Sequence, residues 1–149
     1  MNAIWIEVAN AKAFVRTRDH PPPHVHVVNR ADRWEARVGF SFLTSRLWLI
    51  DVTPVANSPT STTLNAVVDT VAGKLEQFRK DWWMVYSDAD LTNRWVRVGI
   101  DQPVVELRRR CRDAVQITSA VYDPVMRTLS LAIRDGQKFV LPAGSGSME

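Results

Sequence analysis

The sequence predicts an α+β protein: antiparallel β-hairpins packed on one long helix, followed by a C-terminal three-stranded β-meander. Three observations carry this expectation. Apolar and polar residues alternate in short runs through the first forty positions and again after Val115, as half-buried strands require. Between them Leu64, Val67, Val68, Val71, Leu75, Phe78 and Trp82 recur at helical spacing. The Asp135-Gly136 pair then marks a tight turn near the end.

Taken in order, Ile4–Val8 and Ala13–Arg16 suit a first hairpin, split by Asn10-Ala11-Lys12. Pro21-Pro22-Pro23 cannot lie in a helix interior or a central strand, because three prolines fix φ and remove three N–H donors. His24–Val28 and Trp34–Val38 read as a second hairpin turned by the polar Asn29–Asp32, and Leu47–Val52 reads as the next strand. The helix enters through Asn57–Thr63; its interior Gly73 suggests a close approach of helix to sheet. Pro103 can open a short helix running to Cys111, with arginines toward its C-terminal end as the dipole favours. Val115–Val121, Thr128–Ile133 and Lys138–Leu141 complete the meander. The expected organisation is a histidine-bearing module over 1–90, a basic β-rich module over 91–143 and a flexible tail over 144–149.

At 149 residues the chain is too short for a multi-domain enzyme. Its composition is that of a folded protein, its longest apolar run is far short of a membrane span, and MNAIWIEVAN lacks the blocks of a signal peptide, so a cytoplasmic location is expected. The single cysteine, Cys111, reads as a small buried residue, without disulfide or thiolate-metal chemistry. A formal charge of +3 permits contact with nucleic acid without demanding it.

The concentrated chemical signal is histidine. All three histidines, His20, His24 and His26, fall within seven positions, and His24 and His26 share one face of a strand. With His20 or Asp19 reaching in across the prolines, they form a candidate site for a first-row divalent metal. Without metal, His20, His24 and His26 are the candidate catalytic acid–base groups on a phosphodiester. Either role needs a third group, for which Asp19, Glu35 and Asp51 are available. Histidines at a hairpin start can also simply hydrogen-bond their own loop. Elsewhere, Arg108, Arg109, Arg110 and Arg112 are candidates for nucleic-acid phosphates, and the adjacent Trp82 and Trp83 for a protein interface, since a regular helix cannot bury both.

The run Asp19-His20-Pro21-Pro22-Pro23-His24-Val25-His26-Val27, followed by a hairpin and a helix ending near Trp82, resembles a widespread bacterial family of unknown function marked by a DHPPPHVHV-type motif. The resemblance spans about residues 14–86. Val115–Pro142 looks like a second small β-rich family that often accompanies the first. The pairing implies a non-catalytic regulatory protein of toxin–antitoxin type, contacting a protein partner, a second copy of the chain or nucleic acid. The alternative is a small metal- or histidine-dependent hydrolase, an RNase or nucleotide phosphoesterase, working through His20, His24 and His26. Alternating histidines on a strand also resemble the histidine-triad nucleotide hydrolases, although the next alternate position here is Val28.

Overall fold

A computed structural model describes residues 3–101 and 103–149. The fold is α+β, with two helices and two mostly antiparallel sheets, divided into two compact units. The first comprises residues 1–40 and 47–85, the second residues 41–46 and 86–149.

In the first unit a five-stranded antiparallel sheet runs in sequence order: β1 (Ile4–Ile6), β2 (Ala11–Phe14), β3 (His24–Asn29), β4 (Trp34–Phe40) and β5 (Leu47–Thr53). Alternation divides its faces. Ala11, Ala13, Val25, Val27, Ala36 and Val38 are wholly buried on the inner face. The register pairs Trp5 with Lys12, Lys12 with Val28, Phe14 with His26, and His26 with Arg37 on the outer face. The helix α1 (Ser61–Gly73) lies against β5 and against the 3-10 turn at Glu7–Ala9, with Val67 and Val71 wholly buried.

The single long helix is replaced by two, α1 (Ser61–Gly73) and α2 (Leu75–Tyr86). Thr60 caps α1, its hydroxyl accepting from Thr63 N–H at 3.2 Å. The break lies at Gly73-Lys74, where the Lys74 N–H turns back to Val71 O in a tighter turn. A Cβ placed on Gly73 would meet nothing within 4 Å, so this glycine serves no close helix–sheet contact. Its low helix propensity is the local reason for the interruption. The apolar spacing survives it, because Val67, Val71, Leu75, Phe78 and Trp82 are all buried.

Asp81 sits among them with one carboxylate oxygen, Oδ2, buried without a hydrogen-bond partner, while Oδ1 accepts from Gln77 Nε2 at 2.8 Å. Burial pushes its carboxyl above the ordinary range, against the smaller opposing effect of the Gln77 bond. The folded state therefore favours the protonated acid, and that contribution to stability is lost as pH rises through and above the unfolded value near 3.8. Asp81→Asn keeps the acceptor for Gln77 and removes the buried charge. It is expected to stabilise the chain at pH 7 and to have nearly no effect at pH 3. Urea unfolding at the two pH values checks this, and destabilisation at pH 7 contradicts it.

The second unit carries a six-stranded sheet in the order β10-β9-β8-β6-β7-β11, where β6 is Trp95–Arg97, β7 Val105–Leu107, β8 Val115–Asp123, β9 Thr128–Ile133, β10 Lys138–Pro142 and β11 Ser147–Met148. The three predicted strands are present as β8, β9 and β10, but they are half of a larger sheet. The helix expected from Pro103 to Cys111 does not form. Val104 and Leu107 are buried, and Val105–Leu107 pairs with β6 on one side and β11 on the other, so ladder bonds outweigh a short helix with exposed arginines. The residues read as a flexible tail instead add β11, parallel to β7, with Gly146 N–H donating to Leu43 O at 2.8 Å. Cys111 is exposed rather than buried. No helix among the described residues is long and apolar enough to cross a membrane.

Candidate metal centre

The three prolines build the site by withholding donors. The Pro23 carbonyl accepts from Phe40 N–H at 3.0 Å and starts the β3–β4 ladder, whereas the residues before it leave the sheet and turn Asp19 back over the outer face. Asp19 Oδ1 accepts from the His20 backbone N–H at 3.0 Å, which aims Oδ2 at the imidazoles.

His24 and His26, two positions apart on β3, converge there. Asp19 Oδ2 lies 2.8 Å from His24 Nε2 and 2.5 Å from His26 Nε2, and the two Nε2 atoms are 3.2 Å apart. Both imidazoles are almost fully buried, at 1% and 4% exposure, while the edge of Asp19 reaches solvent.

The far sides of the two rings settle which nitrogen carries a proton. His24 Nδ1 is 2.7 Å from Pro22 O, and His26 Nδ1 is 2.8 Å from Glu35 Oε1. Both partners only accept, so each Nδ1 must donate. A neutral imidazole then presents a lone pair at Nε2. Two nitrogen lone pairs and a carboxylate oxygen thus face one another within 3.2 Å, an arrangement that needs positive charge at its centre, supplied by protons or by a metal ion.

The donors fit a metal ion. Among the described residues, Asp19, His24 and His26 are the group whose ligand atoms lie close enough to share one ion. A tetrahedral ion with bonds of about 2.0–2.1 Å separates its ligands by roughly 3.3 Å, so Asp19, at the solvent edge of the cluster, need shift outward by less than about 1 Å. Backbone carbonyl and carboxylate partners behind the two imidazoles are the outer supports that metal-binding histidines usually have. Burial alone would raise the Asp19 carboxyl, but its hydrogen bonds with His26 and His20 and the nearby His24 together hold it below the usual range, so it is an anion at neutral pH.

The surroundings fix this geometry. Glu35 joins His26 to Arg16, whose Nη2 lies 2.5 Å from the same Oε1 atom. The Phe14 ring stacks on His26 with centroids 6.1 Å apart. Trp82 packs against His24 at 5.4 Å and against Phe40 at 6.3 Å. Gly39, opposite His24 in the register, leaves room for the Trp48 ring, with which a Cβ at this position would clash.

Of the residues proposed from sequence, Asp19, His24 and His26 come together, with Glu35 as support. His20 does not join them. It is exposed, with Nδ1 3.0 Å from Pro21 O and its ring 6.4 Å from that of His24. Asp51 is bound by Arg37 through two bonds of 2.8 and 2.5 Å, and that guanidinium holds its carboxyl below the usual range. Trp82 is buried in the core of its unit, and Trp83 is half-buried. Arg108, Arg109, Arg110 and Arg112 are exposed in the second unit, where Arg110 lies over the Trp95 ring at 5.6 Å. Phe14, Arg16, Trp48 and the Pro22 carbonyl were missed. Period-two alternation through Lys12, Phe14 and Arg16, along β2 and just past its end, is a usable signal for the last two; the carbonyl leaves no trace in sequence.

No family model, no curated protein and no solved structure matches this chain.

Proposed function

We propose that the first unit is a small metal-dependent hydrolase of phosphate esters, with a first-row divalent ion held by His24 Nε2, His26 Nε2 and Asp19 Oδ2. The observation that carries this reading is the convergence of three donor atoms, each already held from its far side: His24 by Pro22 O, His26 by Glu35 and Asp19 by the His20 N–H. Asp19, His24 and His26 would hold such an ion, which would supply Lewis acidity and a nucleophilic water at neutral pH. The chain contributes orientation: Pro22 O and Glu35 hold the two rings, and Trp82 closes the apolar side. Arg16, joined to the centre through Glu35, is the cation best placed to meet a phosphate oxygen.

A regulatory role of toxin–antitoxin type rests on the family resemblance and on the exposed Arg108–Arg112 run. The cluster favours hydrolysis, because two buried imidazoles and a solvent-edged carboxylate, all oriented on one point, offer both a metal seat and access for water. Turnover of bis(para-nitrophenyl) phosphate by protein loaded with Zn²⁺ or Mn²⁺ tests the reading. It is expected to vanish on chelation and in Asp19→Ala. No turnover by the loaded wild type, or equal turnover in Asp19→Ala, contradicts it.

A further inference from the structure

The outer face of the first sheet carries a second feature that the metal centre does not use. Two adjoining depressions, of about 340 and 490 Å³, share Lys12, Phe14 and Arg16 as a common wall. Trp5 and Arg30 line the first, and Arg18 lines the second. Among the described residues, no aspartate or glutamate lines either one. Lys12, Arg18 and Arg30 form no ion pair among the described residues, so their charges are available to a ligand. Trp5 is 53% exposed on the same face, directly opposite Lys12 in the register. Each depression is of a size that holds one small-molecule unit.

We infer that this face binds single-stranded nucleic acid, with a base stacked on Trp5 beside Phe14 and successive phosphates on Lys12, Arg16, Arg18 and Arg30. Cations interleaved with an exposed indole on a sheet are what a strand requires: charge for the backbone and a flat platform for a base. Two depressions sharing one wall fit consecutive nucleotides better than a lone mononucleotide. Phe14 stacks on His26, and Arg16 bonds the carboxylate that holds His26, so a strand on this face passes beside the centre formed by Asp19, His24 and His26. The inference deepens the hydrolase reading by naming its substrate class. It rests on that reading for the fate of the strand, while binding itself needs no metal.

The test is fluorescence anisotropy of labelled oligouridylate and oligothymidylate on the full chain in excess chelator, so that metal plays no part. Lys12→Glu/Arg30→Glu is expected to weaken binding at least tenfold and to lower the salt slope by roughly one to two units. Trp5→Ala is expected to weaken it about fivefold or more. Arg108→Glu/Arg109→Glu is expected to bind within about twofold of wild type. All substituted side chains are exposed, and circular dichroism checks that each variant folds. Preference for the uridylate assigns the ligand as RNA, and equal affinity assigns a strand of either sugar; both support the proposal. It is overturned if neither oligonucleotide binds, if the Lys12/Arg30 variant binds like wild type, if only the Arg108/Arg109 variant loses binding, or if uridine monophosphate binds as tightly as the oligomer. Oligonucleotide bound in chelator but left intact when metal is restored supports the binding face and counts against the hydrolase reading, so the two fail separately.

Discussion

His26→Ala is expected to reduce divalent-metal affinity by more than the roughly 10- to 100-fold that loss of an outer supporting partner costs, because it removes a ligand outright. Glu35→Gln is expected to fall within that 10- to 100-fold range. Glutamine can still accept from His26 Nδ1, but it brings no charge to raise the basicity of the ring and no ion pair to fix Arg16. The graded pair separates a metal ligand from a histidine that merely hydrogen-bonds its own loop. In the latter case His26→Ala and Glu35→Gln would leave metal uptake alike and weak. Isothermal titration of Zn²⁺ into chelator-stripped protein reads both affinities.

Trp82→Ala is expected to cost about 3–5 kcal/mol of stability, the range for truncating a buried tryptophan. The indole fills space between His24 and Phe40, so the loss combines exposed apolar surface with a cavity that the surrounding rings cannot close. Since His24 loses its packing partner on that side, metal affinity should fall together with stability. Denaturant unfolding of wild type and variant measures the effect, and a loss below about 1 kcal/mol would place Trp82 outside the core.

Alternation and helical spacing made the first sheet and the apolar face of the helices legible in the sequence, because both are set by the division between core and solvent. The β3–β4 hairpin follows from His24–Val28, Asn29–Asp32 and Trp34–Val38, and the buried positions of α1 and α2 follow from the Val67–Trp82 spacing. What escaped were choices made by distant partners. Residues 103–111 have the marks of a short helix, yet Val105–Leu107 becomes a strand because β6 and β11 offer ladder bonds on both sides. Ser147–Met148 is polar and glycine-flanked, and only pairing with β7 makes it a strand.

The candidate site was half legible. Histidine spacing on a strand and the proline punctuation pointed to His24 and His26, and the motif placed Asp19 beside them. The exclusion of His20 was not readable, since the turn of the proline segment decides which way that ring faces. Nor were the outer partners. Pro22 contributes a backbone carbonyl, and Glu35 reaches His26 only through the register that sets β4 against β3.

The central claim is that the positive charge demanded by Asp19, His24 and His26 is a metal ion. Its most direct test is titration of Co²⁺ or Zn²⁺ into chelator-stripped protein at pH 7, read together with the histidine ¹⁵N spectrum. Saturable uptake of about one equivalent is expected, with metal shifts at the Nε2 atoms of His24 and His26 but not of His20, and loss of uptake in Asp19→Ala. Folded protein that takes up no metal, and whose two buried rings carry protons on both nitrogens, would assign the charge to imidazolium and contradict it.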